Sequence, residues 1–189
     1  GKNSLNWIMS LPTSSWAGVT VDPVRMRWME PMYQPKMRKQ DRLLMGDWQD
    51  ETLLGDERFD VVLVDYLIGA IDAFTPYIQD QILRRLVRHV GGRMYIVGLE
   101  PRPQQAEDPG ANGLIKLLRL KDACRMMTGQ RLYREYPATW IARQLKTAGL
   151  HALNTRHFGN IFRETYVHRH ATACRKYIKQ LEDPVLQQV

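Results

Sequence analysis

Phe59-Asp60-Val61-Val62-Leu63-Val64-Asp65 is the stretch that decides the fold. It is a short apolar run, rich in β-branched residues, with an acid near each end. A run of this kind without alternation marks a strand covered on both faces, the condition of a parallel sheet. Downstream, Thr75-Pro76 offers a helix N-cap followed by proline at the first helical position. Ile78, Ile82, Leu83, Leu86 and Val90 then recur at helical spacing, and Gly91-Gly92 is expected to stop the helix. Met94-Tyr95-Ile96-Val97 reads as a second buried strand. Strand, helix and strand in close succession make a βαβ unit, whose crossover is right-handed.

The same alternation extends in both directions. Residues 18–22 form a short strand ending in Asp22, and residues 42–47 another ending in Asp47. Between them, residues 24–37 carry a Met-rich helical pattern interrupted at Pro31 and Pro35. Residues 100–113 hold three prolines and two glycines without periodicity. They form a loop leaving a strand end, a candidate substrate-side lid or an ordinary surface connection. Residues 114–128 read as a helix with Leu117, Leu120, Cys124 and Met127 inward, stopped by Gly129. Residues 137–148 read as another, with Trp140, Ile141, Leu145 and Ala148 inward and Gly149 as the stop. Residues 150–158 are expected to be a strand. Residues 162–181 are expected to be a terminal helix with Tyr166, Cys174, Tyr177, Ile178 and Leu181 inward. The expected class is α/β: a three-layer, Rossmann-like, mostly parallel sheet with helices on both faces. Residues 1–189 then make a single domain, with 160–189 as a C-terminal helical extension.

Composition limits the alternatives. The 189 residues are 44% hydrophobic and 25% charged, which excludes a disordered chain, a collagen-like repeat and a long coiled coil. There is no apolar run of about eighteen residues, the length needed to span a membrane. Two cysteines, Cys124 and Cys174, are too few for a disulfide framework or a four-thiolate zinc site. A reducing, intracellular compartment is the default for such a chain. The net charge of +7 is concentrated in residues 121–189, which carry 12 basic and 5 acidic groups. Such a surface suits a macromolecular partner or simply solvent. A protein is favoured over RNA, because aromatics that could stack on bases are few and not clustered. His168, His170 and Cys174 form an H-x-H-x3-C string. On a helix only His170 and Cys174 share a face, and no fourth ligand is in range, so no metal is expected.

Ligands of open parallel sheets bind beyond the carboxyl ends of the strands, and Asp22, Asp47 and Asp65 all lie at such ends. Each acid alone reads as a helix cap or turn residue. Together, over residues 18–101, the pattern resembles the class I S-adenosylmethionine-dependent methyltransferases. The resemblance implies that Asp22 bonds the cofactor ribose, that Asp47 contacts the adenine amine, and that Trp48 lies against the ring. It also implies that Asp65-Tyr66-Leu67 opens the catalytic loop, with Asp65 and Tyr66 the first candidates for orienting substrate or removing a proton. Residues 136–150, ending Ala148-Gly149-Leu150, are similar to the family's late helix and turn. The family's glycine-rich loop is not present in full. Gly1-Lys2-Asn3-Ser4 fits its last glycine and the helix it opens, which places Gly1 among the cofactor-binding residues and the central strand upstream of residue 1. The rival is that residues 5–11 are a degenerate replacement strand. Two functions follow: an S-adenosylmethionine-dependent methyltransferase, or a catalytically inactive relative serving as a structural or assembly subunit of a larger complex.

Overall fold

The structure, a computed structural model, describes residues 1–181 and 183. Among them the order is α1 (Lys2–Ser10), β1 (Ala17–Thr20), α2 (Pro23–Tyr33), a 3-10 turn (Gln34–Lys36), β2 (Arg42–Met45), β3 (Phe59–Asp65) and α3 (Leu67–Phe74). Then come α4 (Gln79–Val87), β4 (Val90–Val97), α5 (Pro109–Met127), α6 (Ala138–Thr147) and α7 (Glu164–Ile178). The fold is α/β and its strands are parallel. They form two separate pairs. β1 lies beside β2 from Ala17↔Arg42 to Thr20↔Met45. β3 lies beside β4, with Val61↔Arg93 to Asp65↔Val97 in register.

Each pair has its own core. Beside β1 and β2, the buried residues are Leu5, Trp16, Met29 and Tyr33, with Ile8, Met9, Met32, Met37 and Leu43 packed against them. The methionines of α2 therefore serve largely as core filler, the usual use of an unbranched, adaptable side chain. Beside β3 and β4, the core is Val64, Ile68, Ile71, Ile78, Ile82, Leu83 and Leu86, with Trp140, Ile141 and Leu145 of α6 laid on it. Asp41 holds the first half together. Its buried carboxylate accepts from the Trp16 amide at 3.2 Å and from the Arg38 amide and Nε, each at 2.9 Å. The guanidinium of Arg38 holds the Asp41 carboxyl below the usual carboxylate range.

The structure corrects several local expectations. α3 is a helix that the sequence reading left unassigned, and Thr75 closes it as a C-cap. α4 starts only at Gln79, so Thr75-Pro76 is not its N-terminus. Gly91 and Gly92 lie inside β4 and do not stop the helix, which ends at Val87. The reason is a register shift between Phe59 and Val61, where the backbones crowd. A Cβ at Gly92 would lie 2.6 Å from the Asp60 carbonyl oxygen. β3 is not covered on both faces throughout: Val61 is 56% exposed. β4 likewise alternates between covered and open positions. On α5 the buried residues are Ile115, Leu118 and Cys124, while Leu120 and Met127 are exposed. Residues 150–158 are not a strand. They run without regular structure and are exposed from His151 onward. Residues 5–11 are not a strand either, since α1 covers most of them. The expected helix over 162–181 is shorter, Glu164–Ile178, with Cys174 buried against α5.

Candidate functional site

β1 and β2 run in register, so Asp22 and Asp47, each two residues beyond the last paired residues, leave the sheet at the same edge. The Gly46 amide donates to the Thr20 carbonyl at 3.0 Å and locks that edge. Asp22 is the N-cap of α2: its Oδ1 accepts from the Val24 and Arg25 amides at 2.9 and 3.1 Å. This satisfies two of the orphan donors at the helix start. Its Oδ2 is 3.7 Å from Arg25 Nε. Asp22, Val24, Arg25 and Trp28 line an open groove of about 300 Å³.

Asp47 is more heavily committed. Its Oδ1 accepts from the Gln49 amide at 2.9 Å, and its Oδ2 accepts from the Thr75 hydroxyl at 2.7 Å. That second bond ties the end of β2 to the end of α3. Trp48 packs on the β3–β4 core, its ring 6.2 Å from that of His89. Its carbonyl accepts from Arg85 Nη1 at 2.7 Å.

Asp65 closes β3 opposite Val97. Its Oδ2 accepts from the Gly1 nitrogen at 3.1 Å and from the Ser4 hydroxyl. α1 therefore spans the two halves: its first turn meets the carboxyl end of β3, while Leu5 belongs to the core beside β1. Tyr66 follows in the left-handed region, φ 54°, and donates its amide to the Val97 carbonyl at 2.9 Å. A non-glycine residue there is uncommon and is often found at a site where the chain must turn sharply. Its side chain is 47% exposed.

Among the candidate residues, Gly1 and Asp65 are in direct contact, and Asp22 and Asp47 share one sheet edge without bonding to each other. The sequence reading missed Ser4 and Thr75, the hydroxyls that engage Asp65 and Asp47. The signal for Ser4 was available: it is in the first turn of the helix that Gly1 opens. Thr75 was visible only as a cap. His168 lies near Glu164 at 3.2 Å on the surface, and His170 turns inward from α7. Among the described residues no group of three His, Cys, Asp or Glu is placed to hold a metal ion. No helix among them is long and apolar enough to cross a membrane.

Parallel strands joined through helices define an α/β protein, and its fold is methyltransferase-like by its likeness to a solved structure. One solved structure of this fold that the chain resembles is the YcgJ protein of Bacillus subtilis, with a TM-score of 0.56 and 19% identity. The match covers 87% of this chain and 66% of the Bacillus chain, just under two thirds of its length. No family model matches the chain. No curated protein matches it.

Proposed function

We propose that the protein is an S-adenosylmethionine-dependent methyltransferase whose cofactor lies across the carboxyl ends of β1, β2 and β3. What supports this most is the placement of Asp22 and Asp47 on one sheet edge, in a chain of methyltransferase-like fold. Asp22 suits the ribose: one carboxylate oxygen caps α2, while the other accepts no backbone amide and borders an open groove. Asp47 can take the adenine amine only by sharing or replacing the Thr75 hydroxyl. Trp48, half-buried against the β3–β4 core, stands beside Asp47 on the adenine side. Asp65 and the exposed Tyr66 stand on the substrate side. When bound, the cofactor supplies a methyl group on a sulfonium, and the protein's part is to position the acceptor in line with it. Titration of the purified protein with S-adenosylmethionine in a calorimeter tests the assignment. Asp22→Ala is expected to weaken binding by about 1.5–3 kcal/mol, the range for a hydrogen bond to a charged group. Unchanged affinity removes Asp22 from the site.

One observation favours a second reading, an inactive methyltransferase-like subunit with a structural role. Asp22, Asp47 and Asp65 each already have partners within the chain. A folded protein that gives no heat with S-adenosylmethionine would support this reading over the first.

A further inference from the structure

The basic last third was expected to lack clustered aromatics, and the fold gathers them. Phe162, Tyr166 and His170 form a column along the start of α7, with ring centroids 4.9 Å and 4.2 Å apart. Beside it runs a groove of about 350 Å³ lined by Ile161, Arg163, Thr165, Tyr166 and Arg169. The Arg169 guanidinium lies 5.2 Å from the Tyr166 ring centre. Neither Arg163 nor Arg169 has a carboxylate partner among the described residues. The nearby acid, Glu164, is turned to His168 instead. Among the described residues no side chain caps the N-terminus of α7. Its first amides and the positive end of its dipole therefore add to the field of the two arginines. The chain leading into the groove is exposed throughout residues 151–165, with Phe158 82% and Ile161 89% exposed.

We infer that this face of α7 binds single-stranded nucleic acid. Two guanidiniums with no carboxylate partner among the described residues suit phosphates, which they can grip bidentately. Phe162, 46% exposed at the end of the column, offers a ring on which a base stacks. An acidic peptide would use the arginines and leave the aromatic column without purpose. A duplex would bury its bases away from it. The inference is independent of the cofactor site.

The test is fluorescence anisotropy of a labelled 12-nucleotide oligouridylate with the full chain at 50 and 200 mM salt. An oligodeoxythymidylate arm distinguishes RNA from DNA as the preferred strand. Two neutralised phosphates give a slope of about −1.4 in log affinity against log salt, so roughly a sevenfold loss over that range. Arg163→Gln with Arg169→Gln should flatten that slope and weaken binding at low salt. Phe162→Ala should cost roughly 5- to 160-fold, the stacking of one base, with the slope unchanged. Arg143→Gln with Lys146→Gln, on the exposed face of α6, should change affinity less than twofold. Circular dichroism checks that each variant is folded. Absence of binding at 50 mM salt overturns the inference. So does an equal loss in the α6 variant, or displacement of the oligonucleotide by polyglutamate at matched charge.

Discussion

Asp41 shows how much one side chain carries in this fold. Its carboxylate is buried and joins the segment before β1 to the turn before β2 through Trp16 and Arg38. Asp41→Ala leaves the Trp16 amide without its acceptor, and a loss of about 1.5–3 kcal/mol in urea unfolding is expected. Arg38 stays half in water, which keeps the cost below that of breaking a fully buried pair. Because its pKa is held below the ordinary aspartate value, chiefly by the hydrogen bond from the Arg38 guanidinium, folded Asp41 stays charged where the unfolded chain takes up a proton. Its contribution is therefore complete above that value and is lost as the pH falls through the lower, folded one. Gly92 is a second position where a single atom decides. Gly92→Ala sets a methyl against the Asp60 carbonyl, and a loss of about 1–3 kcal/mol is expected as the β3–β4 register adjusts. A melting temperature equal to that of the parent protein would show that the strands relax freely.

At the scale of elements, α7 carries a buried histidine whose protonation state matters. Among the described residues, neither of the buried ring nitrogens of His170 has a hydrogen-bond partner. Burial lowers its pKa, and Lys121 and Arg169 lower it further; Arg102 acts in the same direction and Asp122 against it. The folded protein thus resists a proton that the unfolded chain accepts near pH 6.5. Stability from this source is present above that pH and is lost as the pH falls below it towards the lower, folded value. Thermal melts at pH 7.5 and 5.5 should therefore differ more for the parent than for His170→Leu. An identical difference in both would place the pH dependence elsewhere. The elements themselves were legible to unequal degrees. β3, α6 and the acids at strand ends follow from short-range patterns: an apolar run, a 3.6-residue period, a carboxylate after a β-branched stretch. α3 was missed because Leu67–Phe74 is short and almost wholly apolar, with Asp72 its one charged residue, so it lacks the polar face that marks a surface helix. Gly91-Gly92 misled because glycine suits a helix stop as well as a crowded strand, and only the contact with Asp60 separates the two. Residues 150–158 follow a glycine stop at the point where the alternation of helix and strand calls for a strand, but among the described residues no strand pairs with them.

Across the whole molecule, two parallel strand pairs stand on two cores and are tied together near the candidate site. The Thr75–Asp47 bond joins the end of α3 to the end of β2, and α1 reaches from the β1 core to Asp65. The candidate acids were legible because a strand end is a local feature. Their partners were not, because Ser4 and Asp65, or Asp47 and Thr75, come together only through the crossovers. The cofactor is proposed to cover the ends of three strands, and hydrogen–deuterium exchange with and without S-adenosylmethionine tests that most directly. The expected result is slowed exchange at the amides of residues 20–22, 46–49 and 65–67, with α7 unchanged. Exchange that is the same with and without saturating S-adenosylmethionine, or protection confined to segments away from these strand ends, would contradict it.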